Sequence, residues 1–266
     1  FSKYTDFLLS AYYSKYNKGG YITQETGTSL QQKIMIIKGF NLSWVYKLSR
    51  IHDYEKEPSW PFPYDVKMTS SELSLLLDRD TRDDRFDPRH GSLLSVSLSY
   101  SPRFLGSSLS YVRSFSQYTM YKNIRGSLTW ASSYRLGLAS AFGDTLAPSK
   151  RFFAGGGTSI RGFKLDAIGP LDFWTGLPEG GEGTVVINQE LRFPIYKMFR
   201  GVAFFDAGNV YSTLRDFNPL RLRTGAGLGL RIDTPLGLIR VDYGLNLKPR
   251  TWEPKSAIFF SLGQAF

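Results

Sequence analysis

The sequence predicts an all-β fold, a transmembrane antiparallel β-barrel of about twelve strands with a long loop folded into its lumen. Three observations carry that reading. No apolar run approaches the roughly 18 residues of a membrane helix, so any span has to be made of strands. Aromatic residues make up 15% of the chain and glycines number 26, yet mean hydropathy is only -0.23, as expected of strands with one lipid-facing side. The third is strict alternation across 220–232. Arg221, Arg223, Gly225, Gly227, Gly229 and Arg231 share one face, opposite Leu220, Leu222, Ala226, Leu228, Leu230 and Ile232.

In chain order, 6–16 (DFLLSAYYSKY) and 29–38 (SLQQKIMIIK) read as strands on either side of a polar, glycine-containing loop at 17–28. A tight turn leads into 39–51 (GFNLSWVYKLSRI). Pro58, Pro61 and Pro63 exclude a strand or helix from the connection 53–67, since proline has no N–H to give a ladder. The chain returns at 68–79 (MTSSELSLLLDR) and turns at 80–91 (DTRDDRFDPRHG), whose dense mixed charge, Pro88 and Gly91 suit a solvated connection. Three more strands follow at 92–101, 107–120 and 124–141.

The connection 142–183 is the longest, and a loop of that length in a compact chain is functional or disordered. Within it, the consecutive glycines of Arg151-Phe-Phe-Ala-Gly-Gly-Gly-Thr-Ser-Ile-Arg-Gly-Phe163 open unusual backbone shapes. Gly162 permits close approach beside Arg161, which implies a tight loop around a buried cation. The strands after it have assignable faces: Asn188, Glu190 and Arg192 in 184–193; Phe204, Asp206 and Gly208 in 201–211; Arg240, Asp242, Gly244 and Asn246 in 238–247. These polar and glycine faces point inward, and the last strand is read as 256–266. No helix follows Gly225-Ala-Gly-Leu-Gly229, so it is not a dinucleotide-binding turn; inward glycines instead leave room for the folded-in loop. An arginine fixed in a lumen needs acceptors, and Glu190 and Asp206 on neighbouring strands supply them, unless both merely line a wet pore. An even strand count returns both chain ends to one side, and about twelve strands leave a lumen that a loop can plug.

RFFAGGGTSIRGF, ending in Ile160-Arg161-Gly162-Phe163, resembles the sixth-loop signature of the BamA/TamA superfamily of outer-membrane β-barrel assembly proteins. The turn 80–91, with Phe86, Pro88 and Gly91, is similar to that family's periplasmic turn three strands before the loop. Phe204, Asp206 and Gly208 match its Phe-x-Asp-x-Gly strand motif. The ending with Phe260, Leu262, Gly263 and Phe266 resembles the C-terminal β-signal by which outer-membrane barrels are recognised for insertion. The resemblance covers 68–266 by motif and 1–67 by pattern. It implies that Arg161 is the loop-tip arginine with Glu190 and Asp206 as lumen partners, that both chain ends are periplasmic, and that the location is the bacterial outer membrane rather than an organelle envelope. Seven strands precede the loop, where the resemblance implies eleven and closure at sixteen. No POTRA domain is expected within 1–266, which reads as a single domain, either a shortened barrel or a fragment of one in mature or trimmed form.

There is no cysteine, and His52 and His90 are the only imidazoles, which is a poor inventory for catalysis. Without G-x-S-x-G, H-E-x-x-H or a P-loop, no enzyme activity, cofactor or metal is expected. The 33 basic against 23 acidic residues include no basic run, which directs the excess charge to lipid headgroups or the lumen rather than to nucleic acid. Two function classes stay open. One is an assembly factor whose seam between 6–16 and 256–266 accepts a client strand by edge augmentation; the other is a translocator or channel for polypeptide or phospholipid. The expected partners are unfolded outer-membrane protein clients, the lipid bilayer, and periplasmic chaperones or accessory assembly subunits. The first strand alternates poorly, with Phe7, Leu9, Ala11 and Tyr13 opposite Leu8, Ser10, Tyr12 and Ser14, and Gly263 packs little, so the seam is expected to be weak.

Overall fold

A computed structural model of the chain describes residues 5–57, 63–235 and 237–266. One twelve-stranded antiparallel sheet runs in sequence order through β1 (Thr5–Lys18), β2 (Tyr21–Ile37), β3 (Phe40–Glu55), β4 (Asp65–Asp80), β5 (Gly91–Ser101), β6 (Tyr111–Arg125), β7 (Leu128–Ala141), β8 (Gly183–Tyr196), β9 (Phe199–Tyr211), β10 (Arg223–Thr234), β11 (Gly237–Asn246) and β12 (Ser256–Leu262). A meander is what these connections permit, since turns of two residues can join only antiparallel neighbours. Gly19 at φ +53 and Gly39 at φ +80 supply the left-handed conformation such turns need. The turns after β2, β4, β6, β8 and β10 share one end of the sheet with Thr5 and Phe266, and the long connection 142–182 lies at the other.

The sheet coils around that connection. The Gly20 amide donates to the Pro178 carbonyl, the Ser149 amide to Asp53 on β3, Arg113 Nε on β6 to the Lys150 carbonyl, and Arg240 Nη2 on β11 to the Gly157 carbonyl. Two small apolar clusters fill the interior, one including Ile51, Tyr111, Leu146 and Phe152, the other Ala154, Ile160, Phe163, Ile168, Val186 and Val210. Leu75, Leu98, Tyr134, Phe205, Leu228 and Tyr243 are exposed on the outer surface. Apolar outside and mixed inside is the distribution of a barrel wall in lipid.

Several element boundaries differ from the sequence reading. The expected loop 17–28 is a two-residue turn followed by strand from Tyr21; Thr23 and Glu25 are buried on the inner face, so the polarity there belongs to the lumen side. Strand also enters both ends of 53–67, with Pro58 and Pro61 outside the described residues. The strands read at 107–120 and 124–141 lie at Tyr111–Arg125 and Leu128–Ala141, because the turn is at Gly126, φ +57, and that read at 220–232 starts at Arg223.

The last strand ends at Leu262, not at 266. Gly263, at φ +85, breaks the extended run, and 264–266 turn inward: Gln264 Nε2 donates to Asp87 Oδ1 at 3.2 Å, Ala265 is buried, and the Tyr121 hydroxyl donates to the Phe266 carbonyl at 3.0 Å. Among the described residues β1 pairs only with β2 and β12 only with β11, so the expected first-to-last ladder is replaced by two edges of the coiled sheet.

Candidate functional site at the loop tip

Four strands and the loop converge on Arg161. On β8, β9 and β11 the period of two places Glu190, Asp206 and Asp242 on the inner face, and the register Asn188↔Asp206, Asp206↔Gly225 and Gly229↔Asp242 brings them around one point. The loop delivers Arg161 there at φ-permissive Gly162, φ +97. Its Nε and Nη2 donate to Asp206 Oδ2 and Oδ1 at 2.7 and 2.8 Å, a parallel fork that a planar guanidinium suits. Its own amide donates to the same Oδ2 at 3.0 Å. Nη1 reaches Glu190 Oε1 at 2.6 Å and Asp242 Oδ2 at 3.4 Å.

The Arg161 side chain is 1% exposed and all three carboxylates 0%. The Phe204 ring closes the remaining face of the guanidinium, 3.5 Å from centroid to Cζ, a cation–π contact strengthened by the loss of water. Burial works against the charge, and Asp206, Glu190 and Asp242 outweigh it, so Arg161 titrates above its ordinary range. Around this centre Asn188 Nδ2 donates to Asp206 Oδ1 and to the Ser159 carbonyl, Arg231 Nη1 donates to Asp242, and Arg192 Nε donates to the second Glu190 oxygen at 2.9 Å. Every carboxylate oxygen of the cluster thus has a cationic or amide donor, the condition under which buried charge is tolerable.

The wall is shaped for the loop. A Cβ on Gly225 would meet the Arg161 carbonyl oxygen at 2.0 Å, one on Gly244 the Gly162 amide nitrogen at 2.5 Å, and one on Gly208 would meet Ile160 Cδ1 at 2.7 Å. Ile160 and Phe163 are buried beside the arginine. This is a fixed electrostatic anchor with no open face for a substrate.

The Omp85 superfamily domain profile matches residues 1–266. The chain belongs to the Omp85 superfamily. It is 26% identical over 266 residues to "Outer membrane protein assembly factor BamA" of Nitratidesulfovibrio vulgaris, covering 96% of this chain and 34% of that protein. It is 28% identical over 182 residues to the human "Sorting and assembly machinery component 50 homolog", covering 61% of this chain and 38% of that one. A crystal structure of BamA from Haemophilus ducreyi lacking POTRA domains 1–3 superposes with a TM-score of 0.85 at 19% identity, covering 97% of this chain and 58% of that one. CdiB from Acinetobacter baumannii superposes at 0.58 and 17% identity, covering 92% and 43%. The chain spans about a third of the length of these curated relatives.

This Omp85 chain is therefore an outer-membrane barrel. Its remaining sequence-singled residues divide between surfaces: Phe260 and Leu262 are 74% exposed on the outer face of β12, Gly263 makes the kink, and Phe266 lies inside near Arg192 and Tyr121. Alternation along the strands puts Asp242, Asn188 and Arg231 on inward faces but does not place them beside Arg161. A second anchor holds the loop against β3 and β4. Lys150 Nζ lies 3.3 Å from Glu72 on β4, with the Tyr111 hydroxyl also donating to Glu72, and the Ser149 amide donates to Asp53 at 3.1 Å. The lysine gives no signal in a loop whose glycines and Arg161 dominate, and its partner is 78 residues away.

Proposed function

We propose that this barrel assists the folding and membrane insertion of β-barrel outer-membrane proteins, using the edges of β1 and β12 as the place where a client strand pairs. The observation that carries the reading is that, among the described residues, β1 and β12 each keep one edge without a strand partner, beside a lumen occupied by an anchored loop. Unpaired backbone N–H and C=O groups at bilayer depth cost several kcal/mol each, and an added strand satisfies them. Both β1, with Phe7, Leu8 and Leu9 exposed, and β12, with Ile258, Phe260 and Leu262 exposed, offer apolar surface alongside that backbone. Family membership and the assembly roles in the relatives' names agree with this use.

The Arg161 cluster is then a structural pin: it keeps the loop inside the coil and the last strands in register while the edges stay available. Clients would be unfolded outer-membrane proteins, with periplasmic chaperones or accessory subunits delivering them. The test is reconstitution into liposomes with a urea-unfolded barrel as client, scoring its folding by heat-modifiable migration. Faster folding than in empty liposomes supports assembly; no acceleration together with ion conductance moves the function to translocation.

A further inference from the structure

Outside the coil, near the long-loop end, the first strands carry charge that neither the Arg161 cluster nor the strand edges use. Parity places Lys15 on β1, Gln24 on β2, His52 on β3 and Lys67 on β4 on the outer face, and the register lines them up as one row: Lys15↔Gln24, Gln24↔His52, His52↔Lys67. The next row toward the bilayer centre is Tyr13, Thr26, Arg50 and Thr69. Arg50 and Lys67 are exposed, and between the rows lies a shallow depression of about 330 Å³ lined by Tyr13, Arg50, His52, Lys67, Thr69 and Ser108 among others. That is room for a headgroup rather than a single water, which occupies about 30 Å³.

Among the described residues the ion pair at this patch is His52 Nε2 with Asp65 Oδ1 at 2.8 Å, and Lys15, Arg50 and Lys67 have none. The sequence outside the described set, 1–4, 58–62 and 236, contains no carboxylate that could take that place. One pleat period below, about 7 Å along a strand, the outer face turns apolar at Leu48, and the row after it is Leu9, Leu30, Tyr46 and Leu73. Fixed cations directly above an apolar band match the two ends of one kind of molecule, an anionic phosphate on acyl chains.

We propose that this face is a binding site for a phosphate-bearing anionic lipid in the leaflet at the long-loop end. Arg50 and Lys67 hold the phosphate, Lys15 and Thr69 flank it, and the acyl chains lie over Leu48, Leu30 and Leu73. A guanidinium and an ammonium on adjacent strands contact separate phosphate oxygens, and the Tyr13 ring covers the glycerol or sugar level, where aromatic side chains sit in membrane proteins.

The probe is phosphatidic acid doped into phosphatidylcholine nanodiscs holding the full chain, with lipids retained after detergent extraction counted by native mass spectrometry. Phosphatidic acid should be enriched on the parent and on Lys122→Gln, an outward lysine at the opposite end. The double variant R50Q/K67Q should lose about tenfold or more of that enrichment. On the parent alone, enrichment should fall as salt is raised and should survive excess inorganic phosphate. Equal retention by R50Q/K67Q and parent, or no preference over phosphatidylcholine, overturns the site. Displacement by inorganic phosphate reassigns it to a soluble anion and overturns the lipid proposal. The salt series needs no variant, so it stands if the double variant fails to fold.

Discussion

A Cβ added to Gly225 would sit 2.0 Å from the carbonyl oxygen of Arg161, and the atom in the way is backbone that no rotamer change can move. Gly244 repeats the relationship one strand over, 2.5 Å from the Gly162 amide nitrogen. Gly225→Ala is therefore expected to push the loop tip off the wall. Overpacking of this kind costs about 1–3 kcal/mol, and here it falls on the fork between Arg161 and Asp206. Limited proteolysis should cut within 142–182 of the variant under conditions that leave the parent intact; equal resistance would show that the wall yields.

Arg161→Ala leaves Glu190, Asp206 and Asp242 buried together without their shared cation. Breaking a buried pair costs about 3–5 kcal/mol, so the loop should be released and thermal unfolding should shift down. Arg161→Lys should rescue little, because an ammonium cannot donate side by side to both Asp206 oxygens and reach Glu190 as well. Full rescue by lysine would mean that charge alone, not the fork, holds the tip.

Asp206 and Asp242 should separate in their effects. Asp206 spends both oxygens on Arg161 and Asn188, whereas Asp242 meets Arg161 only at 3.4 Å and faces Arg231 and Arg240 on the wall. Asp206→Asn is expected to free the loop. Asp242→Asn should mainly lower barrel stability, by leaving Arg231 and Arg240 facing each other with less compensation. Proteolysis of 142–182 reads the first effect and the heat-modifiable transition reads the second; a matching pair of profiles would contradict this division.

What the sequence made legible follows from where one face is apolar and the other is not. In β8 to β11 the contrast is strong, and the inward residues named within these strands are inward; Arg221, read on the same face as Arg223, is instead exposed in the connection before β10 begins. It fails in β2, where inner Thr23 and Glu25 alternate with outer Gln24 and Thr26; with both faces polar near the rim, a strand looks like a loop. A face assignment also carries no depth. Asp242 could be placed inside the lumen but not beside Arg161, since that depends on register across β9, β10 and β11 and on how far the loop descends. Gly263 reads as a weak spot in the last strand, but a backbone turn that takes 264–266 inward leaves no trace in an alternating pattern.

The final prediction concerns the edges of β1 and β12. Because the chain has no cysteine, one cysteine in each strand can form only the intended bridge. A disulfide needs Cα atoms within about 7 Å, and among the described residues the two strands are not paired, so bridging will succeed only if the edges approach each other in the membrane. Ser261 on β12 is a conservative site, scanned against single cysteines along β1 to find the register. Once oxidised, the bridged barrel has no room for a client strand between its edges, and client folding in liposomes should be abolished. Reduction should restore it, which separates a blocked seam from a damaged barrel. Full activity in the bridged, oxidised protein would exclude strand pairing at this seam and leave the lumen as the route.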